Sequence, residues 1–189
     1  VYVNSSFIGN FLSEREISSI YIIASLFNIL IFLSATHFLR ILGNYRFALT
    51  ATLIDAVAVF GLAFTSEPSL VLPLFFLHQA LVPIILFNLD VFLEHYSKNE
   101  AVTGELRAGF LTVMNVALVL SPLILASLGI VNSDYSRVYL LSGMFLMPMM
   151  FIIAISLRDF PDPTYKELNI KRELARFKSD RNITAVFIC

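Results

Sequence analysis

Phe47 to Ser66 reads FALTATLIDAVAVFGLAFTS, an apolar stretch broken by a single charge, Asp55, near its middle. A bilayer's hydrocarbon core takes about 20 apolar residues of helix, and this stretch has that length. Four more of the same kind flank it: Ile17 to Thr36 before it, and Pro68 to Leu89, Ala108 to Ser133 and Val138 to Leu157 after it. Short polar loops separate them. Helices that are apolar all round are not the amphipathic shell of one soluble core, so the sequence predicts an all-α, polytopic transmembrane helix bundle.

The composition agrees. The chain is 58% hydrophobic and 14% charged, against about 25% charged in a typical soluble domain, and its mean hydropathy is +0.81. The net charge of -1 is uninformative, because the charges are segregated by loop. The lone cysteine, Cys189, supports neither a disulfide framework nor a cysteine metal site.

Tyr2 to Leu12 (YVNSSFIGNFL) is apolar but too short to span, and lacks the basic region and cleavage site of a signal peptide. It is read as the tail of a span whose beginning is missing. Ile183 to Cys189 (ITAVFIC) turns apolar again and is read as the start of another span, so the chain is expected to be a fragment. The predicted organisation is a bundle over 1–158, with spans at about 1–12 (partial), 17–39, 47–66, 68–93, 106–133 and 137–158. A connector follows at 159–182, and a seventh span begins at 183–189.

Basic residues set the expected direction. Arg40, Arg46, Lys98, Arg107, Arg158, Lys166, Lys171, Arg172, Arg176, Lys178 and Arg181 fall on one side, against Arg15 and Arg137 on the other. The positive-inside rule makes the richer side cytoplasmic, and the membrane is expected to be the plasma (inner) membrane. The loops at 40–46 and 98–107 and the connector 159–182 then face the cytoplasm. Asp159-Phe160-Pro161-Asp162-Pro163 stops the sixth span, since proline removes a donor and disfavours helix before it. Thr164 and Glu167 have capping-box spacing, opening either a surface helix to about Phe177 or a solvated linker.

This organisation resembles the N-terminal half of a major facilitator superfamily transporter. Leu39-Arg40-Ile41-Leu42-Gly43-Asn44-Tyr45-Arg46 sits where that family carries Gly-x-x-x-Asp-Arg-x-Gly-Arg-Arg, with Leu39 in the place of the aspartate. Asn88 to Gly109 is similar to the end of the family's fourth helix and its Gly-x-x-Arg-Gly start of the fifth, here Gly104-Glu105-Leu106-Arg107-Ala108. Asn115 and Ser121-Pro122-Leu123-Ile124 resemble its fifth helix. The resemblance implies secondary active transport of a small solute or ion by alternating access against a missing C-terminal six-helix half. It implies no cofactor and no nucleic acid, with the lipid bilayer as the surroundings.

Asp55 is the sharpest outlier, since an ionised carboxylate at mid-membrane costs about 2.5–3.5 kcal/mol on an insertion scale. Ala48, Ala51, Thr52 and Ala58 form a small-residue face beside it, which suits close helix packing. Asp55 is therefore expected to face protein, either as a proton or ion carrier or as a structural residue bonded to a neighbour such as Asn115. Asp90 and Glu94 share one face at the end of the fourth span. With Arg107 and Arg40 they are read as a gating network, or else as separate interfacial charges. By the resemblance, His78 and Asn88 on the fourth span are candidates for substrate contact. A histidine there is either a proton relay or a packing residue.

Enzymatic readings find little support. His37, His78 and His95 have no metal-ligand spacing, the glycines never cluster into a phosphate loop, and no serine sits in a nucleophile elbow. A membrane-embedded enzyme and a transporter-like scaffold without transport remain the alternatives.

Overall fold

The computed structural model describes residues 2–97, 100–130 and 134–165. The expected surface helix beyond Thr164 and the seventh span lie outside them, apart from Thr164 and Tyr165. Among the described residues five helices follow in order: α1 (Tyr2–Ile8), α2 (Glu14–Phe64), α3 (Pro68–Tyr96), α4 (Glu100–Ser127) and α5 (Tyr135–Ser156). No strand occurs among the described residues. Four of these helices, α2 to α5, are long and apolar enough to cross a membrane.

Five full spans were expected, and α2 holds two of them. Its 51 residues break at Gly43, whose φ of 74° and ψ of 159° are not helical. That conformation is almost confined to glycine, because a Cβ clashes with the flanking peptides. The break divides α2 into limbs at 14–42 and 44–64, about 44 Å and about 32 Å long at about 1.5 Å per residue. Each limb is long enough for a hydrocarbon core of about 30 Å.

Local sequence sets the helix ends. The Glu16 carboxylate accepts the Ser13 hydroxyl at 2.7 Å and the Ser13 amide at 2.9 Å, fixing the start of α2. These bonds hold the Glu16 carboxyl below its ordinary pKa. Pro68 occupies the first turn of α3, where a missing N–H costs nothing. The α5 helix ends at Ser156, ahead of the two prolines.

Directions follow from the side-chain pairs. Tyr21–Phe75, Phe27–Phe76 and Phe32–Phe87 ring contacts run the first limb of α2 parallel to α3. Asp55–His78 and Asn44–Asn88 run the second limb antiparallel to α3. Ser136 to Ala63 and Tyr45 to Ala154 do the same for α5. One end of the bundle thus gathers Gly43, Asn88 and Ala154, and the other gathers Ala63, Ser136 and α1.

The second limb of α2 forms the centre. Ala48, Ala51, Thr52, Asp55, Ala56, Ala58, Val59, Leu62 and Ala63 are buried, while Leu53, Ile54, Val57 and Phe64 face outward. The buried stripe is chosen by size rather than polarity, as expected where both lipid and protein are apolar. Phe7 and Ile8 of α1 close one end of the core against Val59, Phe75 and Tyr139. Phe160, beyond α5, folds back to close the other, its ring 4.7 Å from those of Phe92 and His95. The sequence placed Phe160 in a connector; the structure makes it core. By contrast α4 stands off the bundle, and its most apolar window contains no buried residue.

Candidate functional site: a buried carboxylate–imidazole pair

Asp55 lies eleven residues after Asn44 and nine before Phe64, which puts it about 16 Å and about 14 Å from the two ends of its limb. Small neighbours let α3 approach closely enough for His78 to reach it. His78 Nδ1 and Asp55 Oδ1 are 2.8 Å apart. The Asp55 side chain is 2% exposed and that of His78 16%, so the carboxylate is sealed while the ring keeps an edge toward the surroundings.

With the proton on Nδ1 the ring donates to the carboxylate, leaving Nε2 as its second site of exchange. The pair can hold one proton or two, and its net charge changes with each. In a medium of low dielectric constant such a change is costly unless something else compensates it. A group of this kind can therefore couple its protonation to a rearrangement around it.

More polar groups lie beside it. The Tyr139 ring meets His78 edge-on, with centroids 6.5 Å apart. Tyr139 donates its hydroxyl to Asn4 Oδ1 at 3.1 Å, and Asn4 Nδ2 donates to Gln79 Oε1 at 3.0 Å. Four elements thus converge: α1 with Asn4, α2 with Asp55, α3 with His78 and Gln79, and α5 with Tyr139. The amide–phenol chain reaches the pair through a ring contact, so the two are neighbours rather than one hydrogen-bonded wire.

Asn4 and Tyr139 escaped the sequence reading. Each sits in an apolar run; for Asn4 the usable signal was that an amide in a span needs a partner. Asn115, by contrast, does not reach Asp55. It is exposed on α4, and its Nδ2 donates to the Leu111 carbonyl of its own helix at 2.8 Å. Because α4 stands off, the partner comes from α3 instead.

Asn88 does not face a cavity either. It is fully buried between α3 and α2, its Nδ2 donating to the Ile84 carbonyl at 2.7 Å and its main-chain carbonyl accepting from Asn44 Nδ2 at 3.1 Å. This amide clamp holds the start of the second limb to α3.

Three of the four expected gating charges meet. Arg107 grips Asp90 with both ends of its guanidinium, Nε to Oδ1 at 2.7 Å and Nη2 to Oδ2 at 2.9 Å, and reaches Glu94 Oε2 at 3.4 Å. This bridge, with Ser97 and Thr103 hydroxyls 2.5 Å apart, joins α3 to α4. Arg40 is placed elsewhere, beside Gly43 and Asp162. There Asp162 Oδ1 accepts the Asn44 amide at 2.7 Å and the Tyr165 hydroxyl at 2.8 Å. Burial and the bond to Asp162 both push the Tyr165 phenol above its ordinary pKa.

Compared with family models, curated proteins and solved structures, the chain has no match.

Proposed function

We propose that this chain is one bundle of a secondary transporter that moves a small solute by alternating access, with Asp55 and His78 carrying the coupling proton. The single observation behind this reading is the 2.8 Å pair sealed at the middle of a membrane-length helix. Ionisable groups at that depth are costly and, where they occur, usually mark ion or substrate pathways. The resemblance to the major facilitator superfamily points the same way, and supplies the second bundle against which this one would rock. The basic end is then the cytoplasmic one, and the bridge of Arg107 to Asp90 and Glu94 forms part of the gate.

A second reading has its own support. The near-complete burial of Asp55 also suits a helix-to-helix lock in a scaffold that transports nothing. Asp55→Asn separates the two, because an amide keeps a hydrogen bond to the imidazole but holds no exchangeable charge. The test is solute flux through the full-length protein in proteoliposomes, with and without an imposed pH gradient. Under the transport reading D55N stays folded, within about 1 kcal/mol of the parent, and loses gradient-driven flux. Flux with an unchanged pH dependence in D55N assigns the pair to structure alone.

A further inference from the structure

The bend at Gly43 opens a concavity at the basic end of the bundle, about 510 Å³ in volume, between α2 and the segment after α5. Arg40, Arg46 and Arg158 line it, with Thr164 and Tyr165. Among the described residues the one carboxylate in its wall, Asp162, already accepts from the Asn44 amide and the Tyr165 hydroxyl. Arg46 and Arg158 form no ion pair among the described residues. The guanidinium groups of Arg46 and Arg158 at a polar recess make a receptor for a phosphate group, whose oxygens match the planar donor fork of arginine.

The surroundings discriminate between sources of that phosphate. Ile41 is 64% exposed and Leu42 37% exposed on the same wall, beside Arg40. A free phosphate ion gains nothing from those side chains. A lipid gains from both, its phosphate among the arginines and an acyl chain along the isoleucine. We infer that this recess binds the headgroup of an anionic phospholipid, holding the α2 bend and the end of α5 to the membrane surface. The inference needs only that the bundle lies in a bilayer, and it stands or falls apart from transport.

The experiment is native mass spectrometry of the detergent-solubilised full-length protein, titrated with phosphatidylglycerol or with phosphatidylcholine of the same acyl chains. The parent is expected to take its first phosphatidylglycerol well ahead of phosphatidylcholine. R46Q/R158Q is expected to lose roughly thirtyfold of that preference, about one basic contact for each arginine removed. R137Q, at the opposite end, keeps it, and R46K/R158K keeps part. Equal uptake of the two lipids by the parent overturns the inference without recourse to any variant. So does an undiminished preference in R46Q/R158Q. Displacement of the lipid by millimolar inorganic phosphate, with phosphate adducts in its place, moves the site to a free anion and overturns the lipid assignment.

Discussion

Replacing Gly43 with alanine should damage the fold through two separable effects. The first is the backbone. At φ 74° and ψ 159°, a residue with a Cβ carries strain of about 1–3 kcal/mol. The second is the cap. A Cβ on Gly43 would fall inside van der Waals contact with Asp162 Oδ2, so the carboxylate has to leave the Asn44 amide. Losing an N-terminal cap costs about 0.5–2 kcal/mol. G43A is therefore expected to lose about 1.5–5 kcal/mol in all. D162A, which removes the cap without the strain, should lose only about 0.5–2 kcal/mol. The double variant is the decisive measurement. If the alanine has already expelled Asp162, deleting that carboxylate takes nothing more, and G43A/D162A matches G43A. Equilibrium unfolding in mixed micelles, followed by far-ultraviolet circular dichroism, reads all three. A loss below about 0.5 kcal/mol in G43A, or full additivity in the double variant, refutes the account.

Other substitutions test the packing and the charges. A Cβ at Gly143 would lie 2.9 Å from Phe60 Cε1, so G143A should cost about 1–3 kcal/mol by overpacking, with F60L recovering part of it in the same unfolding assay. The same change at Gly109, where nothing lies within 4 Å, should instead stabilise by about 0.5–1 kcal/mol through helix propensity. D90N and R107Q should each shift stability by no more than about 1 kcal/mol, since both side chains are more than two-fifths exposed. If the bridge gates transport, both reduce flux in proteoliposomes and the swap D90R/R107D restores part of it; unaltered flux in both single variants removes the gate.

The spans were legible because one number, the length of an uninterrupted apolar run, nearly decides them. The inward face of the second α2 limb was legible for a related reason: Ala48, Ala51, Thr52 and Ala58 recur at helical spacing around Asp55, and all are buried. What met that face was not legible. Whether Asp55 pairs with His78 or Asn115 depends on which helix stands beside it, and a single sequence carries no signal for lateral neighbours. The same gap hid the partner of Asn88. Its place on the fourth span follows from the apolar run, but its rotation toward Asn44 is set by packing. The run Asp159 to Pro163 announced a helix stop through its prolines. It gave no sign that Phe160 would turn back into the core.

That fold-back changes what the loop at 39–46 means. The resembled motif carries an aspartate within the loop, and Leu39 stands in its place here. Leu39 is buried, 3% exposed, and the carboxylate at the bend comes from Asp162 instead, 118 residues away from Asn44 in sequence. A cap supplied from beyond α5 ties the start of the second α2 limb to the end of α5. The two elements are also joined by the buried stripe of small residues and by the Phe160 cluster. The first limb of α2 is held to α3 by three aromatic contacts, and the second limb by the Asp55–His78 pair and the Asn44–Asn88 bond. Between α3 and α4 the connection is of another kind, a bridge of exposed charges and one pair of hydroxyls, with no buried residue in the α4 window. Exposed ion pairs contribute roughly 0–1 kcal/mol, whereas the other seams rest on close packing of buried side chains and on hydrogen bonds sealed from water. The seam that yields first is therefore α3 to α4, so any rearrangement coupled to the protonation of Asp55 and His78 is expected to leave α2, α3 and α5 together and to displace α4.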